Sequence, residues 1–197
     1  TLSGHDGYLP GETTTVKTSG GWGNAPFYKA SNYHWLIRYA GYRYECDDYV
    51  SDYDETTLHQ VWVRYTYAPT STPTSLPSPR PTISPLQSCH AWRQAGQTTS
   101  GIYRINPSGA SGGAVYSVYC DQTTDSGGWM LTLAYAHTGG QNNALVEDMA
   151  PPTDPTGGYS HVVLDDLDGF SEDYIEETRF YCETSGHSRK IHFKTDN

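Results

Sequence analysis

The stretch VYCDQTTDSGGWML at 118–131 decides the reading of the fold. An apolar and aromatic run ending at Cys120 reads as a strand, DSGG at 125–128 as a turn, and WMLTLAYAHT from Trp129 as the most apolar strand of the chain. Upstream, a strand is expected around Gly101–Ile105, parted from the Ala114–Cys120 strand by the turn-rich NPSGASGG. Downstream, Gly139–Gly158 reads as a long Gly/Pro/Asn loop. In LDDLDGFSEDYIEE, Ser171 suits a helix N-cap, and Glu172 and Asp173 would occupy the first turn, where the helix dipole favours acids; a brief helix is expected. TRFYCET and RKIHFKT then form a hairpin-like pair around SGHS. Nearer the start, LHQVWVRYTY sets Val61, Val63 and Tyr65 against Trp62 and Arg64, a strand with two distinct faces. Tyr33–Tyr44 is dense in aromatic and β-branched residues, and Thr13–Asn24 reads as loops with a short strand. The fold class expected is α+β and β-rich.

One boundary stands out. Residues 68–87, APTSTPTSLPSPRPTISPLQ, hold six of the twelve prolines and eight Ser/Thr. Proline fixes φ and lacks a backbone donor, so the stretch suits neither strand nor helix and reads as an extended tether of up to ~60 Å. Its Pro/Ser/Thr composition is that of O-glycosylated stalks, with Thr70, Ser71, Thr72, Thr74, Ser75, Ser78, Thr82 and Ser84 as candidate acceptors; a bare linker is the plainer reading. Asn106-Pro-Ser has the proline that forbids N-glycosylation. The chain therefore divides into a β-rich segment 1–67, a linker 68–87 and a third segment 88–197.

Composition narrows the function. Net charge is −10 with no Lys/Arg cluster, which argues against a nucleic-acid partner. No apolar run approaches the ~20 residues of a membrane span. With neither an initiator Met nor a signal peptide, the sequence reads as a mature or excerpted segment. Cys46, Cys89, Cys120 and Cys182 form no CxxC pair and no zinc-finger spacing; an even, widely spaced set points to two disulfides in an oxidising compartment, with three pairings open. Eight scattered histidines with no HExxH argue against zinc. A GxSxG elbow, a P-loop and a GxGxxG are all absent, and the chain is not read as an enzyme.

Cys89, SGIYRINP at 100–107 and VYCDQTTDSGGWML at 118–131 together resemble the opening half of fibrinogen-like domains. That family begins with a cysteine, a Ser-Gly-x-Tyr-x-Ile-x-Pro strand, a Tyr-Cys-Asp strand and a Gly-Gly-Trp turn leading into the central sheet. The resemblance implies a Cys89–Cys120 disulfide stapling the entry strand to its hairpin. The Gly127-Gly128 pair would allow the tight turn that drops Trp129 into the core. The likeness fades after about residue 137, and 88–197 is about half the length such a domain needs. Residues 1–67 are the candidate for the other half. YHWLIRYAGYRYECDDYV loosely resembles the family's second half, and HQVWVRY makes a good closing strand. The domain would then be split in sequence, second half first, with Cys46–Cys182 as the simplest remaining pairing. Such a protein is either circularly permuted or one period of a tandem repeat, unless copies complement one another.

Two further sites are weighed. Asp47, Asp48, Asp52 and Asp54, with Glu55, are dense enough in carboxylates for a hard cation such as calcium, although the spacing is no EF-hand and a solvated acidic loop explains them too. The reading requires no cofactor. Trp22, Tyr28 and Tyr33 could stack on sugars, with the core as the competing destination for such aromatics. The expectation is a secreted or cell-surface structural and adhesive protein: a repeating or self-complementing unit of a glycosylated filament or matrix. Its partners would be copies of itself, O-glycans and extracellular carbohydrate. The alternative is a secreted calcium-dependent recognition protein of lectin type, since relatives of this family are often lectins.

Overall fold

The computed structural model describes residues 2–7, 28–30, 34–39, 42–45, 56–67, 84–138, 145–185 and 190–196. Its strands are β1 (Leu2–Gly7), β2 (Tyr28–Ala30), β3 (His34–Tyr39), β4 (Tyr42–Glu45), β5 (Thr56–Tyr65), β6 (Gly101–Ile105), β7 (Tyr116–Asp121), β8 (Trp129–Thr138), β9 (Val146–Asp148), β10 (Tyr159–Val162), β11 (Ile175–Thr184) and β12 (Lys190–Asp196). One helix, α1 (Cys89–Gln94), and three single 3-10 turns complete the described elements. The chain is β-rich with few helices, as its composition leads one to expect.

The main sheet runs β1-β12-β11-β5-β8-β10-β9, with β7 also pairing β8 and β6 pairing β7. All its pairings are antiparallel except β9 with β10. Strands β2, β3 and β4 form a separate antiparallel sheet. The β6–β7 and β11–β12 hairpins and the long β8 lie where the sequence puts them.

β5 sits in the middle of the main sheet, between β11 and β8. It pairs with β11 from Thr57↔Thr184 to Tyr65↔Ile175, and with β8 from Thr56↔Thr138 to Val63↔Met130. Its two faces serve two cores. Val63 and Tyr65 pack with Cys89, Ile105, Val118, Cys120 and Met130; Trp62 packs with Trp129, Leu131 and Ala134. A strand covered on both faces needs apolar groups on both, which Trp62 and the Val63/Tyr65 pair supply. A segment that precedes the Pro/Ser/Thr stretch thus fills the centre of a sheet built mostly from residues downstream of that stretch.

Three local expectations need correction. The CHAWRQ segment, unassigned from sequence, is α1, capped by Ser88, whose Oγ accepts the Ala91 N–H at 2.9 Å. Ser88 is N-cap by residue type, and six residues are too few for an amphipathic period to show. The helix expected after Ser171 is a single 3-10 turn, Glu172–Tyr174, with Ser171 accepting the Asp173 N–H at 3.3 Å as its cap. It goes no further because Ile175 and Glu177 pair with Tyr65 and Arg64, and strand pairing outweighs the dipole preference. The 139–158 loop contains β9 within its described part.

Candidate functional site

The densest cluster of charged and aromatic contacts among the described residues is the seam where β5 meets β8, β11 and the turn before β8. That turn is unusual. Asp125, Ser126, Gly127 and Gly128 have φ of 44°, 70°, 76° and 84°, four left-handed residues in succession. Two are not glycine, which costs energy that neighbours must offset. Gly127 has no alternative: a Cβ there would lie 2.3 Å from the Gln122 carbonyl oxygen. The turn delivers Trp129, fully buried, into the sheet, and its indole N–H donates to the Thr124 carbonyl at 3.0 Å.

Arg64 of β5 clasps this turn. Its Nε donates to the Gly127 carbonyl at 3.0 Å, an Nη to the Asp125 carbonyl, and the other Nη pairs with Glu177 of β11. The guanidinium carbon stands 4.2 Å from the Trp129 ring centroid. Lys194 of β12 closes the cluster at 2.7 Å from both Asp125 and Glu177. The turn, β8 and β11 therefore converge on one charged group from the segment before the Pro/Ser/Thr stretch, and β12 reaches the same carboxylates.

A second arginine lies deeper. Arg179 of β11 meets Asp121 of the Tyr-Cys-Asp strand at 2.8 Å and lies 4.6 Å from the Trp62 ring and 5.0 Å from that of Trp129. Burial alone would raise the Asp121 carboxyl. Hydrogen bonds from Thr124 and Thr123, together with the Arg179 charge, hold it far below the usual carboxylate range. Burial pulls Arg179 down from its ordinary value, and the Asp121 carboxylate opposes that. Burial would also raise Asp125, but Lys194 and Arg64 bring it below its ordinary value. Desolvation lowers His90, whose ring backs onto Gly128. The cluster is a charge-matched, partly buried interlock between β5, β11, β12 and the turn before β8.

Cys89 and Cys120 are disulfide-bonded, with Cα atoms 5.5 Å apart. The bridge ties the first residue of α1 to β7. Gln122, buried beside it, donates to the Cys89 carbonyl at 3.1 Å and accepts the Gly128 N–H at 3.0 Å. Bridge, hairpin and turn are thus one unit. Residues 86–146 match the family model of the C-terminal globular domain of the fibrinogen beta and gamma chains. They form a fibrinogen-like segment. No curated protein and no solved structure shows a significant match to the sequence.

The family match begins at residue 86. The Leu86 carbonyl accepts the Asn106 N–H at 2.9 Å, and the Gln87 carbonyl accepts the Tyr65 hydroxyl at 3.1 Å. β5 thereby touches the last residue of the Pro/Ser/Thr stretch. Cys182 is buried and disulfide-bonded, while Cys46 lies outside the described residues. So do Asp47, Asp48, Asp52 and Asp54, Trp22 and Tyr33, and Thr70, Ser71, Thr72, Thr74, Ser75, Ser78 and Thr82. Ser84 is described and exposed, as a modification acceptor needs to be; Tyr28 lies in β2. Among the described residues no three His, Cys, Asp or Glu are grouped so as to hold a metal, and no helix is long and apolar enough to cross a membrane. The Arg64 and Arg179 interlock was missed from sequence. Arg64 set between Val63 and Tyr65 on a strand with two apolar faces was the available signal, because a charge there must find partners.

Proposed function

We propose that this chain is an extracellular structural or adhesive unit whose fibrinogen-like sheet is completed by the segment preceding its tether. It would serve as a repeating or self-complementing link of a glycosylated filament or matrix. The observation that carries this reading is the position of β5, a strand from before the tether lying between β8 and β11 from after it. Without β5, two ten-residue strands would present open edges and Trp129 would lose its cover. A strand on a long extended tether can fill that slot from its own chain or from a neighbour's, and the second option links units end to end.

Supporting features act at the same seam. A Cys46–Cys182 bond, using the one cysteine left after Cys89–Cys120 and the disulfide-bonded Cys182, would make the junction covalent. O-glycans on the Pro/Ser/Thr tether would stiffen the spacer and shield it. Fibrinogen-like domains are generally non-enzymatic and extracellular, and an oxidising setting suits the Cys89–Cys120 bond. Intact mass of the native material tests the glycans: masses above the disulfide-bonded polypeptide in hexose or pentose steps are expected, and the bare mass would remove them from the account.

An open cleft of about 680 Å³ beside the start of β7, lined in part by Asp148, Met149, Asp154 and Ser160, is where the recognition alternative would place a ligand. A glycan array run with and without chelator separates the two readings. The structural reading expects no calcium-dependent sugar binding, and such binding by a soluble monomer would replace it with a lectin.

A further inference from the structure

We propose that Arg64 is the register key of the completing strand, the residue that decides which segment the sheet accepts and at what alignment. This rests on the reading of β5 as a completing strand. The need for a key lies in the strand's own sequence. Val61, Val63, Tyr65 and Tyr67 form a ladder that repeats approximately every two residues: Val, Val, Tyr, Tyr. A two-residue slip keeps every side chain on its original face, and on this face it exchanges Val for Val and Tyr for Tyr apart from the step between Val63 and Tyr65. This ladder therefore discriminates between alignments mainly by that size step, and the sharper choice falls on the opposite face, where Trp62 lies between Gln60 and Arg64.

Arg64 breaks the degeneracy. It is the one Arg or Lys in 56–67. In the observed register it reaches two carbonyls of the left-handed turn, the Glu177 carboxylate and the face of Trp129. After a two-residue slip either Trp62 or Thr66 would stand there. Neither carries a charge, so the carbonyls of Asp125 and Gly127 would lose this donor and Glu177 would keep only Lys194, at a partly buried place. The planar guanidinium fork serves several acceptors at once, which a lysine ammonium does less well. Bulges flank the same spot on both sides, between Val61 and Trp62 against β8 and between Ile175 and Glu177 against β11. Bulges pin register, and Arg64 lies between these two. The turn gains in return: of its two left-handed non-glycine residues, Asp125 is held by Arg64 while Ser126 is held by Arg93 of α1, so arrival of the correct strand helps to order the turn.

The test is cross-strand contact mapping by NMR on the dilute full-length protein, comparing wild type with Arg64→Met and Glu177→Gln. Wild type should show one register. Arg64→Met, which keeps the stem and removes the fork, should show a second set of β5–β8 contacts displaced by two residues, at about a tenth of the population or more. Glu177→Gln should retain a single register because the carbonyl acceptors and Trp129 remain. A single native register in Arg64→Met, with only lower thermal stability, would overturn the proposal. Should that variant fail to fold, Arg64→Lys replaces it. Amide exchange at Asp125–Gly128 at least tenfold faster than in wild type is then expected, and unchanged exchange overturns the proposal. The readout concerns alignment within one dilute molecule, so it is independent of whether the protein forms filaments.

Discussion

Asp121 and Arg179 show how much one residue of the Tyr-Cys-Asp strand has to do. The carboxylate accepts the Thr123 and Thr124 amides at 3.0 and 3.1 Å on one oxygen and Arg179 at 2.8 Å on the other. Asp121→Asn should cost on the order of 3 kcal/mol in denaturant unfolding, because it leaves Arg179 buried without its counter-charge. The pH dependence has a definite sign. A carboxyl depressed in the folded state stabilises it above the unfolded carboxyl's pKa of about 4, and that contribution fades as pH falls from there toward the lower folded value. Asp125 acts in the same direction. His90, lowered by burial, disfavours folding once the unfolded imidazole protonates below about pH 6.5. Stability should therefore decline as pH falls from 6.5 and more steeply below 4, and Asp121→Asn should flatten the acid limb.

At the level of elements, the Cys89–Cys120 bridge and β5 do complementary work. The bridge closes a loop with a sequence separation of 31, and its removal in a Cys89→Ser/Cys120→Ser double variant should cost about 3.5 kcal/mol. That corresponds to a drop in Tm of roughly 10 °C for a domain of this size, measurable by calorimetry. A change under 2 °C would mean that the hairpin and α1 hold without it. The hairpin, the DSGG turn and Trp129 were legible in the sequence because local chemistry dictates them: glycine where φ must be positive, alternation where a strand is half covered. β5 was legible as a strand with two faces for the same reason. Its place between β8 and β11 was not, since pairing partners more than 60 residues away leave no local trace. The 172–174 turn was overread as a helix because its cap and acids are real, while the strand pairing that ends it is remote in sequence. α1 was overlooked because six residues hold less than two turns.

Across the whole molecule, the arrangement places a long Pro/Ser/Thr segment between the strand that completes the sheet and the fibrinogen-like segment that receives it. Under the proposed reading, residues 68–87 in extended form would span roughly 60 Å, enough to serve either their own slot or a neighbour's. The choice between them is a matter of effective concentration and geometry, and dense packing of copies favours exchange. Under the proposed reading, the net charge of −10 would make calcium or low pH a lever on association between units, since either would relieve like-charge repulsion. Electron microscopy of the native material tests the central claim most directly. The account predicts threads of globular beads with a regular axial repeat, spaced by the tether. Isolated globular particles without a repeat would contradict it.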